Sequence, residues 1–105
     1  MNHSWTEEDR HWRLDINSEG VDIQNIFDKL KEKSEENILI NLLNLNDEER
    51  RNIASSLKTL EHNQDRILIV AGPLDDESRV EWAPTLSEAR DLMFMAILEK
   101  ELSKE

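Results

Sequence analysis

The side chains that could carry out acid–base or metal chemistry are three histidines and several paired carboxylates. His3, His11 and His62 show no metal-ligand spacing such as His-x-His or His-Glu-x-x-His. The acidic pairs lie in predicted loops or at helix ends: Glu7-Glu8, Glu35-Glu36, Glu48-Glu49 and Asp75-Asp76. General acid–base catalysis needs a group whose pKa is shifted by burial or by a close partner. We therefore expect no catalytic residue, no metal, no cofactor and no enzyme activity.

Composition excludes two further kinds of chemistry. The chain has no cysteine, which excludes thiol catalysis, thiolate metal sites and disulfides. Its glycines, Gly20 and Gly72, are too far apart in the sequence to form a glycine-rich phosphate loop. A cation site at Asp75, Asp76 and Glu77 stays open, because ligands gather at the carboxyl ends of parallel strands and this segment follows a predicted strand.

The charge balance restricts the class of partner. The 105 residues include 24 acidic and 13 basic side chains, for a formal net charge of -11. This negative field repels phosphates and anionic lipids, so we expect neither nucleic acid nor a membrane as partner, whereas proteins with basic patches fit. The N-terminal residues are polar and acidic, unlike a secretory signal, and no stretch approaches the roughly 18 apolar residues of a membrane span. The prediction is a cytoplasmic protein.

Hydrophobic periodicity predicts strands that alternate with helices. Residues 1–10 show no periodicity and predict a flexible N-terminal arm before a single domain over 11–105. Strict alternation over 11–16 predicts a half-buried strand, and the segments 38–45 and 66–71, apolar on both faces, predict interior strands.

Helical spacing of apolar residues predicts two helices between these strands, over about 22–35 and 47–63. Alternation over 79–82 predicts a short edge strand, and Thr85 with Glu88 forms a capping box that begins a last helix ending near Leu102. The order β-α-β-α-β-β-α predicts an α/β fold with about four mostly parallel strands and three helices.

The last helix carries two apolar stripes when 100° is assigned to each residue. One is an ordinary core face, and it comprises Leu86, Ala89, Leu92, Met93, Ala96 and Ile97. The other comprises Phe94, Met95, Leu98 and Leu102. This second stripe is more apolar surface than a domain of this size needs, so it predicts a deeper groove between helices, contact with the N-terminal arm, or a surface for a dimer or another partner.

The last segment also carries a family resemblance. The run Ala83-Pro84-Thr85-Leu86-Ser87-Glu88-Ala89, continued by an acidic, leucine-rich tail to Leu102, resembles the ending of small bacterial STAS-like domains (sulfate transporter and anti-sigma factor antagonist). The strands over 38–45 and 67–71 extend the resemblance in element order to about residues 11–102. It implies a compact αβ layer structure and protein binding, typically as an antagonist in a partner-switching regulatory relay.

The phosphoacceptor of that family has no counterpart here. The family carries Asp-Ser-Ser-Gly at the start of the helix after the central strand, and aligning Asn41-Leu42 with its Asp-Leu pair brings the run 49–52 to that site. A shorter loop would bring 47–50 there, and neither run contains a serine. The family's first strand is also missing from the predicted elements.

The leading prediction is therefore a non-catalytic, STAS-like interaction domain without the phosphoacceptor serine. Its predicted partner-binding residues are Glu49, Arg50 and Arg51 at the second helix, with Phe94, Met95, Leu98 and Leu102 on the last helix. A homodimer through the last four is a separate hypothesis. The alternative function is that of an acidic inhibitor or immunity-type protein that binds a basic enzyme.

Overall fold

The computed structural model describes residues 3–17, 23–33, 35–60, 66–74 and 80–103, and these form an α/β fold as predicted. In chain order, the elements are β1 (His3–Glu8), β2 (His11–Ile16), α1 (Ile23–Glu32), β3 (Ile38–Asn41), α2 (Asp47–Leu60), β4 (Leu68–Ala71), β5 (Glu81–Ala83) and α3 (Leu86–Ser103).

The described strands make one sheet in the order β1-β2-β3-β4-β5. Strands β2 to β5 are parallel to one another, whereas β1 pairs antiparallel with β2. The prediction of about four mostly parallel strands thus omitted one strand. The element order accordingly begins with two strands rather than one.

The predicted flexible arm over residues 1–10 is wrong for residues 3–8, which form β1. Trp5 lies opposite Leu14 and packs against the core, while its neighbours on the same face, His3 and Glu7, are polar. With a single apolar residue on its inner face, β1 shows no alternation that could be recognised in the sequence. The hairpin turn is Asp9-Arg10, and Arg10 has a left-handed backbone with φ of 66°.

The helices cover both faces of the sheet. Helices α1 and α2 pack on one face with Ile38 and Ile40 of β3, and α3 packs on the other face with Leu39. The two-sided apolar run of the central strand follows from this arrangement, since alternate residues enter different core clusters. The cluster under α1 and α2 comprises Leu14, Ile16, Ile26, Leu30, Ile38, Ile40, Leu42, Leu45, Ile53, Ala54, Leu57, Leu68, Val70 and Val80.

The central strand is shorter than predicted. It ends at Asn41, and the rest of the apolar run forms a turn in which Leu45 N donates to Leu42 O. Both leucine side chains are buried in the cluster under α1 and α2. The apolar pattern therefore marked burial correctly but not strand length, because residues in a turn can also close the end of a core.

Local capping fixes where the helices begin and end. At α2, Asn46 Oδ1 accepts from Glu49 N at 2.9 Å and Glu49 Oε1 accepts from Asn46 N at 3.0 Å. At α3, one half of the predicted capping box is observed, since Thr85 Oγ1 accepts from Glu88 N at 3.2 Å. The buried Arg66 donates to Leu30 O at the C-terminal end of α1, at 2.7 Å. The first two contacts are local caps, whereas the Arg66 contact joins the end of α1 to the segment that leads into β4.

No helix in the described part of the chain is both long enough and apolar enough to cross a membrane.

Candidate functional site

Helix α3 buries the stripe that the sequence predicts to face the core. Ala89, Met93 and Ile97 are buried against Leu39 and Ile69 of the sheet. The helix therefore packs through one face only, and its orientation is fixed by that face.

The second predicted stripe lies on the surface. Phe94, Met95, Leu98 and Leu102 are 56%, 56%, 36% and 67% exposed. Leu43, which lies beyond β3, is a similarly exposed large apolar side chain. We refer to the four α3 residues as the exposed stripe. It is a continuous apolar surface on the longest helix, with no neighbouring element packed over it in the described chain.

A cleft of about 320 Å³ runs beside the exposed stripe, between the β1–β2 turn and α3. We refer to it as the hairpin cleft. Its lining residues are Glu8, Asp9, Arg10, His11, Arg90, Asp91, Met93, Phe94 and Ile97. Phe94 belongs to both features, so the cleft and the stripe form one surface.

Two ion pairs connect the hairpin to α3 beside the hairpin cleft. Arg90 Nη2 lies 3.4 Å from the Glu8 carboxylate, and Arg10 is paired with Glu101. The two α3 residues of these pairs are separated by three turns of helix, or roughly 16 Å at 1.5 Å per residue. The hairpin is therefore tied to α3 at two points about three turns apart.

Polar side chains of the hairpin form a connected network behind the cleft. Arg13 donates to Glu8 and to Asp15, at 3.1 Å each, and Asn41 Nδ2 donates to Asp15 at 2.8 Å. All four side chains are partly buried. The sequence did not predict the Glu8 contact because it requires β1, whereas the alternation of β2 did place Arg13 and Asp15 on one side of that strand.

His11 is the most enclosed polar group of the cleft, with a side chain only 10% exposed. Its Nδ1 lies 2.9 Å from Asp9 O, which can only accept, so in the neutral ring Nδ1 carries the proton and Nε2 presents a lone pair. Nε2 is buried, has no hydrogen-bond partner, and lies 3.8 Å from Glu8 Oε1. Nε2 is closed to solvent, so a molecule in the cleft would not reach it in this arrangement.

The predicted contact residues of α2 have different environments. Glu49 forms the helix cap described above, and Arg51 is exposed beside a smaller cleft of about 230 Å³. Arg50 is buried, and its guanidinium donates to Pro73 O, Leu45 O and Asp47. Arg50 therefore differs from the prediction: its charge is used inside the molecule and is not presented to a partner.

The two predicted groups of contact residues do not form one surface, because α2 and α3 pack on opposite faces of the sheet. Residues 75–77, the open cation site, lie outside the described residues. In the described ranges, no group of three or more histidine and carboxylate side chains could hold a metal ion.

Comparison with protein-family models, with curated proteins and with solved structures finds no match to this chain.

Proposed function

We propose that this protein is a non-catalytic, STAS-like regulatory domain that binds a protein partner through α3. The observation that supports the proposal is the exposed stripe, where four large apolar side chains occupy one uncovered helix face. Contiguous apolar surface of this kind is costly to leave in water, and in soluble domains it typically marks an interaction surface.

The STAS-like assignment rests on the resemblance of the segment from Ala83 to Leu102, and the α/β layers with four parallel strands are compatible with it. Regulation through the family's serine is not part of the proposal. The first turn of α2 contains Asp47, Glu48 and Glu49 and no hydroxyl group, and Ser55 follows two turns later. We propose that the protein binds its partner without a phosphorylation switch at that site. The proposed location is the cytoplasm.

The partner we propose is a protein segment whose apolar side chains cover the exposed stripe and whose flanks carry lysine or arginine. Asp91, Glu99 and Glu101 are exposed carboxylates along α3, and the whole chain has a net charge of -11. Basic flanks therefore complement this surface, whereas a second copy would bring two strongly negative molecules together. A homodimer is the competing occupant, and the experiment below distinguishes it.

The test compares two matched variants as baits. Leu98→Glu places a carboxylate in the exposed stripe, and Leu43→Glu makes the same change at a residue of nearly equal exposure, 37% against 36%, away from α3. We expect both variants to fold, and a partner that associates with the wild-type chain to be lost by Leu98→Glu and retained by Leu43→Glu.

Sedimentation equilibrium of the purified chain examines the second copy. A monomer supports a different protein as the occupant of the exposed stripe. A dimer that Leu98→Glu dissociates would show instead that the occupant is a second copy of the chain. Equal recovery of the partner by both baits would contradict a role for α3 in either form.

The alternative function is an acidic inhibitor or immunity-type protein that caps a basic enzyme. The observation that favours it is the net charge of -11. In that case the binding free energy would come from charge complementarity spread over the surface rather than from the exposed stripe. The association rate and the affinity would then fall more steeply as the salt concentration rises.

A further inference from the structure

We propose that the outer edge of β1 pairs with the same edge of a second copy of the chain, so that the two sheets join across a two-fold axis. This surface is separate from the exposed stripe, and the inference goes beyond the proposed function. The occupant is a second copy because the edge is complementary to itself in one antiparallel register.

The outer side of β1 has no partner among the described strands, because β1 ends the strand order of the sheet. Over His3–Glu8 it pairs residue by residue with β2, without a bulge. Lysine, proline and bulges keep many edge strands from pairing with other chains, and β1 contains none of them. The opposite edge differs, because β5 has three residues and Pro84 follows it directly. β1 is therefore the edge that is open to strand addition.

The backbone alternation shows which groups of β1 face this open edge. Trp12 N donates to Asn37 O at 2.9 Å, just before β3, so the peptide of Trp12 faces β3. Successive residues of a strand direct their N–H and C=O groups to opposite sides, so Arg13 faces β1 and its register partner Thr6 faces β2. The groups that face outward therefore belong to the alternate residues His3, Trp5 and Glu7.

Antiparallel pairing of two copies about Trp5 satisfies these outward groups. In this register Trp5 lies opposite Trp5 of the second copy, and His3 lies opposite Glu7 of the second copy. These are the positions whose N–H and C=O groups face the edge, so the opposed residues can exchange both of their backbone hydrogen bonds. A shift by one residue would oppose positions whose backbone groups already face β2.

The opposed side chains are also complementary. His3, Trp5 and Glu7 lie on one face of the strand, and an imidazole N–H can donate to a carboxylate in either protonation state. Aromatic pairs and opposite-charge pairs across strands stabilise antiparallel sheets, whereas like charges directly opposite one another destabilise them. This register opposes no two carboxylates over residues 3–7. The charge pattern of the edge therefore favours a second copy.

The net charge of -11 opposes the approach of any two copies, but it is spread over the whole chain. At about 0.15 M salt, exposed charges separated by more than about 8 Å are largely screened, whereas the edge contacts form at shorter distance. One strand edge buries little area, so we expect a weak and reversible dimer, as is typical of small interfaces.

The first test is amide exchange of the wild-type chain, followed by NMR from dilute to concentrated protein. The amides of residues 4, 6 and 8 face β2 and are hydrogen-bonded in the monomer, whereas those of Trp5 and Glu7 face the edge. Exchange at Trp5 and Glu7 should therefore slow as the concentration rises, and exchange at the alternate residues should change little. Exchange that does not depend on concentration would overturn the proposal without any variant being made.

A charge swap tests the register. His3→Glu opposes two carboxylates and should weaken dimerisation by about three- to tenfold. The double variant His3→Glu/Glu7→His restores each pair in reverse order and should dimerise like the wild type. The matched control is His3→Glu/Glu99→Gln, which has the same formal charge but removes an exposed carboxylate on α3, and it should stay weak. Sedimentation equilibrium of the four proteins measures the differences.

Leu98→Glu should leave this dimer intact, because Leu98 lies on α3 and not on the edge of β1. Failure of edge pairing is therefore distinguishable from failure of partner binding at the exposed stripe. A monomer at every concentration, a dimer that Leu98→Glu dissociates, or equal dimerisation of the two double variants would overturn edge pairing.

Discussion

Arg50 lies at the start of α2, yet its guanidinium connects three parts of the chain. It donates to Leu45 O before the helix, to Pro73 O after β4, and to Asp47 on its own helix. The sequence shows only two adjacent arginines, and nothing in the spacing says which one points inward. Contacts with residues outside the helix show that Arg50, and not Arg51, points inward. Arg50 is therefore the arginine that we expect to stabilise the fold.

Arg50→Ala should lower the free energy of unfolding by about 2–4 kcal/mol, because two carbonyl groups lose a charged donor in a buried place. Arg51→Ala, an exposed neighbour, is the matched control and should change it by less than about 0.5 kcal/mol. Urea denaturation of both variants measures the difference. Equal effects of the two substitutions would show that the Arg50 contacts do not contribute to stability.

Gly72 is constrained by the same arginine. Its φ of +146° is a conformation that side-chain-bearing residues rarely adopt, and a Cβ would lie 2.9 Å from Arg50 Cδ. Gly72→Ala should therefore cost about 1–3 kcal/mol of unfolding free energy. In an Arg50→Ala background the cost should shrink but not vanish, because the contact is removed while the backbone strain stays. Thermal denaturation of the wild type, the two single variants and the double variant checks this. If the two changes in unfolding free energy add exactly, the proposed contact between residue 72 and Arg50 is excluded.

At the scale of elements, α3 is a helix with two apolar faces, of which one packs on the sheet and the other stays exposed in the described chain. Met93 is fully buried and Leu98 is 36% exposed. Met93→Ala should destabilise the fold by about 2–5 kcal/mol through the cavity it leaves, whereas Leu98→Glu should cost less than about 1 kcal/mol. Chemical denaturation of each variant measures both values. Unfolding of Leu98→Glu would show that the exposed stripe belongs to the core.

The sequence was informative about elements whose signal is local. Three features can each be recognised within a few residues of the sequence: the cap of Thr85, the alternation of β2 and the two stripes of α3. The structure contains all three. Strand β1 has no such signal, since Trp5 alone marks its inner face. The hairpin cleft depends on β1 and on the pairing of Arg10 with Glu101, which are distant in sequence, so no local pattern could reveal it.

At the scale of the whole molecule, net charge separates the two functions. Binding through the exposed stripe derives its affinity from apolar burial, so raising the salt concentration from 0.05 to 0.5 M should slow association but change the dissociation constant only a few-fold. An acidic inhibitor of a basic enzyme should instead lose both on-rate and affinity steeply. Stopped-flow and calorimetric titrations of an isolated complex over this range distinguish the two, with Leu43→Glu and Leu98→Glu as controls.

Hydrogen–deuterium exchange of the chain alone and in complex with its isolated partner locates the binding surface directly. Binding through the exposed stripe should protect α3 around Phe94 to Leu102, together with the adjacent β1–β2 turn, and leave α1 and α2 unchanged. Protection confined to the face of α1 and α2, with α3 exchanging as in the free chain, would contradict it.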